Sequence, residues 1–339
     1  MTFDPSRRHF LLTAAGGMAL GAAALGPATR LVRAAAPVKP SKIRDVEVTK
    51  LGTTITMDLE AAPFPAKGSS YKDPTVIAFV PRYFRVRSDM RVDTLVHFHG
   101  YRDTAEEAMK RHQLREQLVA SKQNAILVFP QGPVRSEDMS GGKLDEPGGL
   151  VNLLTEVRET LQSRRLQARL AHSGIPSHAR IGKCILSAHS GGFRVVSYCL
   201  EVGGFNVNEV YLFDALYGRT DIFRDWLQAT YAKQAPDAER HKVISFYAGD
   251  GPTTENRRLM WFLDKAGIAY VHEETEGAEL TRREITKSRA VFVKTSSGHD
   301  QVLFRTNALR DCLYASCLTR TLKSDWFKDP DAPRIGPPK

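Results

Sequence analysis

The strongest constraint on the fold is an alternation of short, continuous apolar runs with longer amphipathic ones. Residues 94–98, 125–129, 181–186, 209–213, 243–247 and 290–293 are each of strand length and mainly apolar. Such strands are buried on both faces, which requires helices above and below a mostly parallel sheet. Helical stretches at 105–121, 149–171 and 192–202 supply them, the last closed by Gly203-Gly204. Ahead of these, 46–59 and 75–80 alternate apolar and polar residues, as antiparallel strands do. A last helix is expected from about Gln301, and residues 328–339, rich in Pro, read as a loose tail. The expectation is an α/β chain: a doubly wound, mostly parallel sheet with antiparallel N-terminal strands, filling residues 37–327.

Residues 1–36 have a different character. Paired arginines in Ser6-Arg7-Arg8-His9-Phe10 precede a mild apolar run interrupted by Gly16, Gly17, Gly21 and Gly26, and small residues follow at Ala34, Ala35 and Ala36. This resembles a twin-arginine export signal, which implies recognition by the twin-arginine export machinery and a periplasmic or secreted mature chain. Roughly 300 residues would then remain, enough for one large α/β domain or two small ones. No later apolar run is long enough to span a bilayer.

Charge narrows the choice of partner. The leader carries four arginines against Asp4, so the formal net charge of +10 falls to +7 for the remainder, with both signs interspersed. There is no arginine-rich arm and no aromatic-basic motif, which argues against a nucleic-acid partner. Cys184, Cys199, Cys312 and Cys317 form no CxxC pattern; they fit buried thiols as well as disulfides.

The chemistry concentrates at strand ends. A serine hydroxyl needs a base to take its proton and donors to hold the oxyanion it creates. Ser190 follows the strand 181–186 and precedes a helix, and Gly191-Gly192 behind it leave room for a sharp turn. The stretch Ala188-His189-Ser190-Gly191-Gly192 resembles the nucleophile elbow of α/β-hydrolases, with Ala188 in place of the usual first glycine. That resemblance implies an α/β-hydrolase fold, an oxyanion donor at the Gly191 N–H, and a side chain of His189 that faces away from the site. It also implies a second donor from the loop after His97-Phe98-His99-Gly100, for which the Tyr101 N–H is the best match, with Gly100 permitting close approach and His99 bracing the loop. Read without the resemblance, His97 and His99 share one face of a strand, but the aspartate and histidine that would extend the pair to a metal site are replaced by Tyr101 and Arg102.

In the resembling family the base follows the last strand, where Ser296-Ser297-Gly298-His299-Asp300 stands, so His299 is expected as base. The acid has two candidates. Asp214 ends the strand 209–213 and is preferred; Asp250, in the glycine turn after 243–247, stays open. The expected function is an exported serine hydrolase that cleaves an ester or amide bond of a small molecule or polymer, without metal or cofactor. The alternatives are a cell-envelope peptidase, amidase or acyltransferase using the same serine, or a noncatalytic binding protein on this scaffold. Tyr217, Arg219 and Arg102 either contact substrate or cover the surface.

Overall fold

The computed structural model describes residues 41–135, 140–231, 240–277 and 280–334; the expected export signal at 1–36 and the last five residues lie outside them. Ten strands form one sheet among the described residues: β1 (Lys42–Val48), β2 (Gly52–Asp58), β3 (Thr75–Pro81), β4 (Arg91–Phe98), β5 (Ala125–Pro130), β6 (Arg180–His189), β7 (Glu209–Phe213), β8 (Lys242–Tyr247), β9 (Val271–Glu273) and β10 (Ala290–Lys294). Nine α-helices accompany them among the described residues: α1 (Ala105–Arg111), α2 (Leu114–Ser121), α3 (Gly149–Leu161), α4 (Arg164–Leu170), α5 (Phe193–Val202), α6 (Thr220–Tyr231), α7 (Asp250–Lys265), α8 (Arg282–Lys287) and α9 (Ala308–Tyr314).

The order across the sheet is β1-β2-β3-β5-β4-β6-β7-β8-β10-β9. The pairs β1–β2, β2–β3 and β3–β5 are antiparallel, and every other pair is parallel. This is the expected α/β architecture, a doubly wound sheet of the α/β-hydrolase type. The central parallel strands divide their side chains between two cores. Val96, Leu186, Val210 and Val243 join a cluster with Leu153 of α3, Val196 of α5 and Leu259 of α7. Leu95, Ile185, Tyr211 and Ile244 join another with Ala108 of α1, Leu118 of α2 and Leu309 of α9. Burial on both faces is why these strands read as unbroken apolar runs.

Three expected helices are shorter than their patterns. The run 105–121 breaks into α1 and α2 at Gln113, whose φ is +51°, and Gln117 Nε2 donates to the His112 carbonyl at 2.8 Å across the break. The run 149–171 breaks at Ser163, extended at ψ 143°. The last helix starts at Ala308, not near Gln301, because Asn307 turns at φ +55° and the residues before it form turns. The strand β9 and the helices α6, α7 and α8 are additional to the expected elements; β9 and α8 are short, whereas α6 and α7 carry apolar faces that include Phe223, Leu227, Leu259 and Leu263.

The stretch from Lys328 is docked as far as Arg334. The Arg282, Arg283 and Arg334 N–H groups bond to the Ala332, Pro330 and Leu280 carbonyls, and Arg334 is 1% exposed. Its guanidinium meets Asp311 at 3.1 Å and Glu276 at 3.0 Å. Proline content suggests looseness, but a buried ion pair anchors this segment. All four cysteines are free thiols.

The chain leaves β4 for β5 on one side, then crosses to β6 on the other, so the order reverses between β4 and β6. In doubly wound sheets, ligands bind at such a switch point, beyond the carboxyl ends of the strands.

Candidate active site

Strand register brings the site residues level. Phe98 pairs with Ala188, His189 with Phe213, and Phe213 with Phe246. Ser190 and Asp214 are therefore each the first residue beyond a paired position on adjacent strands. Both leave their strands in the left-handed region, Ser190 at φ +54° and Asp214 at φ +46°. Each such residue costs on the order of 1–3 kcal/mol, a strain that packing around it must hold.

Glycines make that packing possible. A Cβ on Gly100 would fall 2.6 Å from Ser190 Cβ and 3.2 Å from its Oγ; one on Gly192 would fall 2.8 Å from the Phe98 carbonyl oxygen. Neither distance accommodates a side chain, so the end of β4 and the serine turn can meet only across these two glycines. Ser190 Oγ makes no hydrogen bond among the described residues. Contacts of this kind commonly tighten only when substrate binds.

His299 sits in the loop after β10, and its Nδ1 lies 2.6 Å from Asp214 Oδ2. A carboxylate only accepts, so Nδ1 carries the proton and Nε2 is the nitrogen free to take another. The hydrogen bond to Asp214 raises the His299 pKa above its ordinary value, against the lowering effect of burial. Asp214 is 3% exposed, and its other oxygen accepts from the Ala248 N–H at 2.7 Å. The Tyr217 hydroxyl lies 3.5 Å from Oδ2. The structure thus brings Asp214 to His299. Asp250 does not join them; it is exposed in the first turn of α7.

Across the switch point, His99 is fully buried. Its Nδ1 donates to the Gly100 carbonyl at 2.8 Å, and its Nε2 accepts from the Gly132 N–H at 2.9 Å, with Gln131 Nε2 at 3.0 Å. Burial lowers its pKa to about 4, so the ring is neutral and acts as a clamp between the loops after β4 and β5. Tyr101, next in the chain, is 37% exposed, and its N–H makes no hydrogen bond among the described residues. Gly191 is buried directly after the serine. His97 lies in the core with Nδ1 2.9 Å from Ser187 Oγ, and burial holds its pKa well below the ordinary value.

The expectation that the His189 side chain faces away from the site is not met: its ring packs against that of His299, centroids 4.6 Å apart, because the turn after β6 directs it toward the loop after β10. His189 Nε2 lies 2.9 Å from the His299 main-chain carbonyl. Only the tertiary structure could identify that partner, or the Ala248 N–H that holds Asp214. His189, His299 and Asp300 offer ligand atoms within 4.8 Å of one another. A metal ion there would compete for ring nitrogens, of which His189 Nε2 and His299 Nδ1 are already bonded. Both nitrogens of His99 are likewise committed, so the His97–His99 pair offers no ready metal site.

No protein-family model matches the chain, and no curated protein does. Among solved structures, similarity is found to a ferulic acid esterase at 15% identity, covering 81% of this chain and 96% of that one, with a TM-score of 0.42. It is also found to the S954A mutant of the feruloyl esterase module from Clostridium thermocellum complexed with sinapinate, at 12% identity, 81% and 88% coverage and a TM-score of 0.44. A third is the acetyl xylan esterase from Aspergillus awamori, at 11% identity, 71% and 94% coverage and a TM-score of 0.44.

Proposed function

We propose that the chain is an exported serine hydrolase that cleaves an ester bond through an acyl-enzyme on Ser190. The observation that carries this reading is the 2.6 Å bond from His299 Nδ1 to the buried Asp214, on strand ends beside a serine held at positive φ. The bond orients the imidazole and leaves Nε2 as the base. In the first step Ser190 Oγ attacks the ester carbonyl carbon as His299 takes the hydroxyl proton. The tetrahedral oxyanion is held by the N–H groups of Tyr101 and Gly191, with the α5 N-terminus adding favourable partial charge. Collapse breaks the bond to the alcohol, which leaves with the proton from His299. Water then attacks the acyl group by the same route, releasing a carboxylic acid and restoring Ser190.

Export is part of the proposal: the paired Arg7-Arg8 ahead of a weakly apolar run supports passage by the twin-arginine route to the periplasm or beyond. Replacing both arginines by lysine and fractionating cells tests it; unchanged export would remove this element. No helix among the described residues is long and apolar enough to cross a membrane.

The chemical test is labelling with a fluorophosphonate probe, which reports an activated serine. The wild type should label and Ser190→Ala should not. A folded wild type that stays unlabelled, or a variant that labels equally, would remove Ser190 as nucleophile.

A further inference from the structure

We infer that His189 is a positioning residue that ties the loop bearing the base to the turn bearing the nucleophile. This rests on the reading of Ser190 and His299 given above.

His189 is the last residue of β6, so its backbone fixes where Ser190 begins. Its Nε2 lies 2.9 Å from the main-chain oxygen of His299. A carbonyl oxygen only accepts, so Nε2–H is the donor whatever the charge on the ring. Burial brings the His189 pKa down to about 4, which leaves the ring neutral near pH 7 and Nδ1 without a proton. Nδ1 is buried and has no hydrogen-bond partner. It faces Gly100, where a Cβ would come within 3.3 Å of it. The Gly100 loop thus closes over this nitrogen as well as over the Ser190 turn.

The rest of the ring is wedged between two other imidazoles. His299 lies 4.6 Å away and His112 lies 4.8 Å away, centroid to centroid, and His189 itself is 4% exposed. His189 therefore joins the nucleophile through the peptide chain, while its ring reaches the carbonyl of the base and lies against Gly100 of the oxyanion loop. Asp214 orients the His299 ring, whereas His189 holds the backbone from which the ring projects. The two restraints act on different atoms, and both are needed to fix where Nε2 of His299 points.

The test uses the full chain and three variants, with p-nitrophenyl acetate as the substrate and a fluorophosphonate as the serine probe. In His189→Gln the side-chain amide reaches the position of Nε2 and can still donate. His189→Phe keeps a ring without a donor, and His189→Asn has a donor that stops short. The expected result is kcat within about threefold of wild type for His189→Gln, and a loss on the order of ten- to a hundredfold for His189→Phe and His189→Asn. KM should change by no more than about twofold, since the substrate contacts are untouched. Phosphonylation rates should follow kcat.

If His189→Phe fails to fold, judged by near-UV circular dichroism, the comparison of His189→Asn with His189→Gln carries the test. Equal losses in the glutamine variant and in the donor-deficient ones would show that ring shape matters and the hydrogen bond does not, overturning the inference. Wild-type kcat in folded His189→Phe would overturn it as well. A wild type that the probe does not label strikes the parent reading instead, so the two failures are distinguishable.

Discussion

Asp214 assigns its two oxygens to separate partners, Oδ2 to His299 and Oδ1 to the Ala248 N–H. An asparagine there must turn its amide donor toward one of two N–H groups, so one contact becomes donor against donor. Asp214→Asn should therefore lower kcat/KM on the order of 10³–10⁴-fold. Asp250→Asn, at an exposed helix start, should stay within about twofold. Steady-state kinetics of both variants decides which aspartate serves the base. The same hydrogen bond raises the His299 pKa, and a base must be unprotonated to act. The acidic limb of kcat/KM should therefore lie above the ordinary histidine value of about 6.5. A limb at or below that value would mean that the Asp214 contact does not govern the active form. For stability the sign is the usual one for a raised group: the contribution is full below about 6.5 and is lost as pH rises through the folded value.

The loop from Thr295 to Thr306 shows how an element is held from outside its own sequence. Glu276 accepts hydrogen bonds from the hydroxyls at both its ends, Thr295 and Thr306, and from Arg334. Arg334 in turn reaches Asp311 of α9 and lies over the Phe246 ring, 4.9 Å from its centroid. The C-terminal segment is thereby linked to the base of the loop that carries His299. Arg334→Met would remove the cation between two buried carboxylates, while Arg310 still pairs with Asp311 at 2.8 Å. A loss of about 3 kcal/mol is expected, read from urea unfolding. An unchanged midpoint would mean that the segment docks without contributing to stability. Proline content in the sequence gives no hint of this anchor, because the partners of Arg334 lie 23 and 58 residues away.

Over the whole molecule, His97, His99, His112 and His189 are all buried and all held neutral by desolvation, His112 with a pKa near 3 and His99 and His189 near 4. Their pKa values are depressed in the folded state, so between about 6.5 and 4 the unfolded chain binds more protons. Stability should hold above pH 6.5 and fall as pH drops through that window, by up to about 1.4 kcal/mol per pH unit for each group. Urea unfolding at pH 7, 6, 5 and 4 measures the slope. Burial also raises the pKa of Asp103 to about 6 and raises those of Asp145 and Asp311, so these carboxyls bind protons in the folded state over the same window and offset part of the slope. Stability that rose steadily from pH 7 to 5 would contradict the depressed imidazoles. His299 acts in the other window, above 6.5, and does not offset the effect.

How far the site was legible follows from the range over which each signal acts. Apolar runs record local burial, so the doubly wound sheet could be read from the sequence alone. Ser190 was visible because its turn needs adjacent glycines, and His299 because it follows the last apolar strand. The choice between Asp214 and Asp250 was not, since each simply ends a strand. It depends on a contact across 85 residues, set by strand order and register. The same holds for His189, whose role rests on a carbonyl 110 residues away. Local pattern determines which elements form and where they end. Only the assembled sheet, by fixing which strand ends are neighbours, decides which side chains can touch.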